Sequence, residues 1–113
     1  MGETLGAFEQ AVLLGIVRLR EDAYGRGILR EVQERLKRDV AAGAIHATLE
    51  RLEGKGLICS QLALGTPIRD GRARRFYRLE PAGVQALNDA RAAVNDFWHG
   101  IRWPLKGFVW NPR

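Results

Sequence analysis

The sequence has few of the side chains that carry enzyme chemistry. It contains one cysteine (Cys59), one serine (Ser60) and two histidines (His46 and His99), and it has no glycine-rich phosphate-binding loop. The two histidines lie 53 residues apart with no cluster of Cys or Asp beside them. No catalytic triad or set of metal ligands can be assembled from these residues at a familiar spacing. The sequence therefore predicts a protein that is not an enzyme and that has no metal or cofactor.

The lone cysteine excludes an internal disulfide and indicates a reducing compartment. Because the residues around Cys59 are typical of a strand, we expect a buried, inert thiol rather than a redox sensor. No run approaches the roughly 20 apolar residues of a membrane span, and the first residues lack the pattern of a signal peptide. We therefore expect a cytoplasmic protein that does not contact a membrane.

Acidic residues are fewer than basic residues in this sequence. The chain of 113 residues has 13 acidic and 18 basic side chains, a formal net charge of +5 and a pI of about 10.1. Such a balance favours a polyanionic partner but does not separate DNA, RNA and acidic membrane. Much of the excess lies in ten residues that hold five arginines and one aspartate, namely Arg69, Asp70, Arg72, Arg74, Arg75 and Arg78.

Helical periodicity predicts three helices in the first half of the chain. The first spans Leu5 to Leu19 and should be largely buried, the second follows Asp22 as its N-cap, and the third runs from about Ala42 to Lys55. Gly56 fits the glycine that commonly ends a helix. The inward-facing positions are Leu5, Phe8, Val12, Leu13, Leu14, Ile16, Val17 and Leu19 in the first helix, Ile28, Val32 and Leu36 in the second, and Ile45, Thr48, Leu49 and Leu52 in the third.

A change of period after the third helix indicates a β-hairpin. Leu57 to Leu64 and Arg74 to Leu79 have the pattern of strands, and Gly65 to Gly71 has the composition of a turn. The arginine cluster lies at the tip of this hairpin. Because a guanidinium group pairs phosphate oxygens bidentately, we expect Arg72, Arg74 and Arg75 to bind phosphates. For Arg74, strand alternation leaves a second possibility open, in which the side chain turns away from the phosphates towards a carboxylate of the domain itself.

Pro81 suits the first position of a fourth helix, predicted over residues 81–103. Its apolar series steps by three and four residues, as in a coiled-coil seam, and such a stripe packs either on its own domain or on a partner subunit. We assign it to a dimer interface that contains Leu87, Ala90, Val94, Phe97 and Ile101. The aromatic tail, residues 104–113, is too short to fold alone, and we expect it to pack on the body or on the partner.

Three helices followed by a hairpin give the order of a winged helix, a mainly α fold with a small β-hairpin. The prediction is a winged helix-turn-helix domain over residues 1–80, followed by the C-terminal dimerisation helix. In a winged helix the third helix enters the major groove of DNA and the hairpin, or wing, contacts the neighbouring backbone or minor groove. On that helix His46 and Arg51 are best able to read a base or hold a phosphate, while Gly43, Ala44 and Ala47 allow close approach.

Several motifs in register then resemble the PadR family of bacterial transcriptional regulators. They occur in order between about residues 5 and 87 and are LGAFEQ followed by AVLL (residues 5–14), AYG (23–25), GAIHATLERLE (43–53), KGLI (55–58), GRARRFYRL (71–79) and PAG (81–83). The resemblance implies a homodimer held by the C-terminal helix, one recognition helix per subunit, and repression that a ligand or stress signal releases. It also completes the candidate DNA-contacting set, which is Tyr24, Gly43, Ala44, His46, Ala47, Arg51, Arg72, Arg74 and Arg75.

The sequence departs from the family pattern at three positions. His46 stands where the family typically has tyrosine, Ala41 stands where a small hydroxyl residue often precedes the third helix, and Glu80 stands where threonine is frequent. The change at Ala41 removes the natural N-cap, for which Asp39 is the expected substitute. The alternative function is a winged helix that binds another protein or RNA instead of duplex DNA, and other winged-helix repressor families share the same layout.

Overall fold

The structure, a computed structural model, describes residues 4–63 and 74–110. Its helices and strands follow the order α1, α2, α3, β1, β2, α4, with a short 3₁₀ turn between the first two helices. Their bounds are Ala7–Leu19 (α1), Gly25–Leu36 (α2), Ala42–Gly54 (α3), Ile58–Ala63 (β1), Arg74–Leu79 (β2) and Pro81–Trp98 (α4). The predicted fold class, mainly α with a small β-hairpin, is confirmed.

The core lies where α1, α2 and α3 meet the hairpin. Leu13, Ile28, Leu52 and Ile58 are fully buried there, each from a different element. Burying a side chain of this size contributes about 1.5–3 kcal/mol, so the helical faces predicted from periodicity supply most of the stabilisation. Two of the positions predicted to face inward on α1 do not, because Leu14 and Val17 lie on its solvent side and are 37% and 49% exposed.

The capping residues of two helices differ from the prediction. Tyr24, not Asp22, is the N-cap of α2, and Asp22 lies in the preceding 3₁₀ turn, where its carbonyl accepts a hydrogen bond from the Tyr24 N–H at 3.0 Å. Ala41 is the N-cap of α3, and no side chain caps that helix, so Asp39 does not take the expected role. Gly56 confirms the end of α3, because its φ of +78° is the left-handed conformation that glycine adopts readily.

The two strands pair antiparallel from Ile58 opposite Leu79 to Ala63 opposite Arg74. The Tyr77 N–H also donates to the Ala23 carbonyl at 2.8 Å, and Tyr24 forms an isolated bridge with Phe76. The hairpin is therefore tied to the connection between α1 and α2 as well as to the core.

The fourth helix begins at Pro81 as predicted but ends at Trp98, five residues before the expected end. Its first half packs on the domain, whereas every residue from Val94 to Trp110 is exposed. Of the two positions expected for the aromatic tail, packing on the body is wrong for the part the structure describes, because Phe108 and Trp110 are 81% and 84% exposed, and packing on a partner stays a prediction. Within residues 4–63 and 74–110, no helix combines the length and apolar character needed to cross a membrane.

Candidate nucleic-acid interface

The outer face of α3 is a flat surface of small residues with two larger side chains. Gly43, Ala44, His46, Ala47 and Arg51 are all exposed, as the spacing predicts. On the opposite side the helix is anchored by four buried residues, Ile45, Thr48, Leu49 and Leu52. Because the anchoring residues recur every three or four positions, the orientation of the outer face is fixed by the core.

The two larger side chains on α3 both have partners within the helix. His46 Nε2 lies 3.1 Å from Glu50 Oε1, and both side chains are at least 70% exposed. Arg51 donates to the buried Thr48 hydroxyl at 3.2 Å. Sequence analysis missed Glu50, although the spacing of four residues from His46 predicts that the two side chains are neighbours on a helix.

Beside α3 a shallow cleft of about 410 Å³ separates it from the start of α2. Arg26 and His46 line this cleft from its two sides, and Tyr77 of the hairpin closes it. Arg26 is exposed and lies in the first turn of α2. Sequence analysis missed this arginine because nothing in the local pattern places the start of α2 next to the outer face of α3.

The wing presents arginines on both faces of β2. Arg74, Phe76 and Arg78 lie on one face, and Arg75 lies on the other with Tyr77, since side chains alternate along a strand. All three arginines are exposed. Arg72, which was predicted to bind phosphate at the tip, lies outside the described residues.

One face of the wing is stacked on Tyr24. The Arg74 guanidinium carbon lies 4.4 Å from the centre of the Tyr24 ring, and the Phe76 ring meets the same ring edge-on at 5.8 Å between centroids. Arg74 therefore points towards its own domain, which is the second of the two positions considered for it, but its partner is an aromatic ring and not a carboxylate. Tyr24 is half-buried beneath these two side chains, which makes it a support for the wing.

The other face of the wing is connected to the end of α3. Arg75 donates to the Ser60 hydroxyl at 2.9 Å, and that hydroxyl donates to the Glu53 carboxylate at 2.8 Å. The chain of hydrogen bonds ends on a negative charge, which stabilises the guanidinium at its start. Arg75 is thereby held beside the last turn of α3, and burial raises the pKa of the neighbouring Tyr77 phenol, which stays protonated at neutral pH.

Cys59 is exposed on β1, so the expectation of a buried thiol is wrong. It pairs across the sheet with Arg78 and lies on the face that points away from the core. A hydrogen bond with the Glu80 carboxylate raises the pKa of the Cys59 thiol, and partial desolvation adds to the shift. A raised pKa lowers the thiolate fraction, so the exposed thiol is poorly reactive at neutral pH.

The predicted dimer seam is divided between two environments. Leu87 packs on the core from a half-buried position, and Ala90 is 7% exposed. Val94, Phe97 and Ile101 are exposed by 43%, 79% and 50%. Ile101 lies beyond the end of α4. The first two members therefore serve the chain's own domain, and the last three remain available to a partner.

Titratable side chains do not converge into a metal site in the described ranges, 4–63 and 74–110. The groups that cluster there are the arginines of the wing and the side chains on the outer face of α3, which are of the kinds that pair with anions and base edges.

Comparisons with known proteins agree with this geometry. Residues 13–89 match the family profile described as "Transcriptional regulator PadR-like family". The transcriptional regulator Rv3488 of Mycobacterium tuberculosis is 37% identical over 75 residues, a match that covers 66% of this chain. The match covers 65% of that relative, slightly less than two thirds of its length.

Solved structures share the fold. A PadR family transcriptional regulator from Eggerthella lenta superposes with a TM-score of 0.62 at 26% identity, covering 80% of this chain and 76% of the other. A PadR-like transcriptional regulator from Bacillus cereus superposes with a TM-score of 0.67 at 21% identity, covering 85% of this chain and 88% of the other. The second likeness concerns the fold alone. The family resemblance drawn from the sequence motifs is confirmed, and the matching family and relatives are regulators and not enzymes.

Proposed function

The chain belongs to the PadR-like family of transcriptional regulators, and from that premise we propose that it is a homodimeric repressor that binds double-stranded DNA sequence-specifically. The observation that carries the proposal is the placement of an exposed, small-residue face of α3 beside an arginine-bearing wing. A major groove about 12 Å wide admits such a helix, and the wing then meets the adjacent phosphates.

In this proposal α3 reads bases. Gly43, Ala44 and Ala47 let the helix backbone approach the groove, and His46 and Arg51 contact base edges or phosphates. Glu50 adds an acceptor beside His46, at 3.1 Å, and a carboxylate in the major groove suits the N4 donor of cytosine. Arg26 extends the same surface towards the backbone from the start of α2.

The wing supplies affinity that does not depend on sequence. Arg75 and Arg72 pair phosphates and release condensed counterions, while Arg74 holds the wing against Tyr24. The bond from Arg75 to Ser60 restricts the guanidinium before binding, and a pre-positioned group loses less conformational freedom when it contacts DNA.

The homodimer places two such surfaces on one duplex. The exposed part of the seam, Val94, Phe97 and Ile101, supplies apolar area for a two-fold interface, in which each contact occurs twice. The family resemblance supports release of the repressor by a small molecule or a stress signal.

Selection of duplexes from a random pool tests the proposal. The expected result is enrichment of a two-fold symmetric site whose half-sites lie about one helical turn apart, roughly 10–10.5 base pairs. Gel-shift assays with the selected duplex, an unrelated duplex and single-stranded RNA provide the control. Preference for the RNA, or failure to bind any of the three, would support the alternative of a winged helix that binds RNA or protein.

A further inference from the structure

Exposed apolar side chains are concentrated at the C-terminal end of the chain. Of the thirteen exposed large hydrophobic residues in the described ranges, nine lie between Val94 and Trp110. We call residues 97–110 the C-terminal arm. It contains all three tryptophans of the sequence, Trp98, Trp103 and Trp110, together with Phe97 and Phe108.

The arm is not covered by its own domain. Its phenylalanines are 79% and 81% exposed, and Trp103 is 76% exposed. The buried residues of α4 end at Ala90, and every residue from Val94 to Trp110 is exposed. Monomeric proteins seldom expose contiguous apolar surface of this extent, so we expect another molecule to cover the arm.

An open groove in the domain offers a surface for part of the arm. It has a volume of about 690 Å³ and lies between the beginning of α1 and the first half of α4. Leu5, Leu57 and Ala90 give it apolar walls, and Glu9 and Asp89 place carboxylates at its edge.

The charges of the groove and the arm are opposite. The arm carries Arg102 and Lys106 and no acidic residue. Within the groove, Glu9 pairs with Lys55 at 3.3 Å, and Asp89 accepts a hydrogen bond from Gln85 at 2.8 Å. Aromatic rings and two cations thus meet an apolar groove that has carboxylates at its edge, which favours docking in a defined register.

The arm of a second copy can reach this groove, whereas the chain's own arm starts at the opposite end of α4. The 18 residues of that helix span about 27 Å at 1.5 Å per residue. In a two-fold antiparallel pairing of α4 helices, the end of one helix lies beside the first half of the other. The exposed seam residue Val94 lies between the groove and the arm, and Phe97 begins the arm, so one continuous surface results.

The size of the arm also suits a subunit interface. An aromatic side chain buries roughly 150–250 Å², so the five exposed aromatics of the arm supply on the order of 700 Å² after allowance for their partial exposure. A standard interface buries about 800 Å² per partner, and Val94 together with the exposed aliphatic residues of the arm makes up the remainder.

From these observations we infer that the C-terminal arm docks in the α1–α4 groove of the second subunit and locks the dimer. The inference rests on the homodimer of the proposed function and names the segment and the receiving surface that hold it together.

Tryptophan fluorescence tests the inference directly, because every tryptophan lies in the arm. We expect emission typical of buried tryptophan at concentrations where sedimentation shows dimers, and a red shift on dilution that follows dissociation. Fully exposed emission from a complete dimer would overturn the inference. A blue shift that appears only with anionic phosphatidylserine vesicles would also overturn it, since it would assign the arm to a lipid surface.

Substitutions test the arm and the groove separately. We expect Trp103→Ser combined with Phe108→Ser to weaken dimerisation by about tenfold or more, because two large apolar side chains lose their burial. Asp89→Lys should also weaken it, by reversing a charge at the groove. Leu62→Ser, at an exposed apolar site on the wing, and Asp39→Lys, a charge reversal outside the groove, are the controls and should leave dimerisation unchanged.

The outcome is separable from that of the proposed function. A parent protein that dimerises through the arm but binds no duplex supports the inference and contradicts repression through DNA. Arm variants that dimerise as tightly as the parent, in a protein that binds duplex, overturn the inference alone.

Discussion

Gly83 is the residue that lets α4 approach the body of the domain. A Cβ added there would overlap the backbone carbonyl of Leu57, at the connection between α3 and β1. The same carbonyl accepts the Glu80 N–H at 2.9 Å, so the start of α4 is held against it. The requirement is one of space, since the obstructing atoms are backbone and cannot rotate away.

We predict that Gly83→Ala destabilises the fold by about 1–3 kcal/mol, the usual cost of forcing extra atoms into a packed site. Urea unfolding followed by circular dichroism measures the change. Gly54→Ala is the matched control, because a Cβ there meets nothing within 4 Å. Alanine at that helical position should be neutral or stabilising by up to about 1 kcal/mol. Equal effects of the two substitutions would contradict the packing account.

Cys59 provides a prediction about pH. Its pKa is raised first by the hydrogen bond to Glu80 and to a lesser degree by the charge of Glu53. A raised pKa means less thiolate at a given pH, so alkylation by iodoacetamide at pH 7.5 should be slower than for a cysteine in an unstructured peptide. Glu80→Gln should lower the pKa and accelerate the reaction, and Glu53→Gln should accelerate it less. A faster reaction in the parent protein than in the peptide would refute the assignment.

At the scale of elements, the inner face of α3 packs on the core and its outer face is exposed to solvent. We predict that His46→Ala and Arg51→Ala each lower discrimination between the selected site and a mutated site by about 1–3 kcal/mol, the value of a good base contact. Competition gel shifts with both duplexes measure this quantity. Arg91→Ala on α4 removes the same charge from an exposed position outside the interface and should leave discrimination intact. If both α3 variants discriminate as the parent does, the helix does not read bases.

The elements show what the sequence can and cannot predict. The inner face of α3 and the strand Arg74–Leu79 followed from periodicity, because burial on one side imposes a period of 3.6 or 2 residues. The end of α4 did not, since the apolar spacing continues to Ile101 although Gly100 adopts a φ of +79°. Periodicity reports which residues are apolar and not where the helix stops.

Contacts between distant segments also escaped prediction. The stacking of Arg74 on Tyr24 joins residues 50 positions apart, and only the folded hairpin brings them together. Cys59 was expected inside because its neighbours are those of a strand, but strand identity does not state which face is buried. Arg26 entered the candidate interface for the same reason, through the packing of α2 beside α3.

At the scale of the whole molecule, the basic candidate DNA-contacting surface and the exposed apolar surface lie in different parts of the chain. The molecule measures 67 × 32 × 20 Å, and the outer face of α3 and the arginines of the wing belong to its compact domain. The apolar excess lies on the last turns of α4 and the C-terminal arm. The candidate DNA-contacting surface and most of the exposed apolar surface are thus apart, which is the arrangement that the proposed function requires.

The salt dependence of duplex binding tests the central claim most directly. Each phosphate contact adds about 0.9 to the slope of log affinity against log salt concentration. We predict that Arg72→Ala combined with Arg75→Ala weakens binding to the selected and unrelated duplexes by similar factors, and flattens the slope by up to about 2 per bound wing between about 50 and 200 mM salt. Arg75→Lys keeps the charge and should largely preserve the slope. An unchanged slope in the double variant would contradict the account of the wing as a phosphate-binding element.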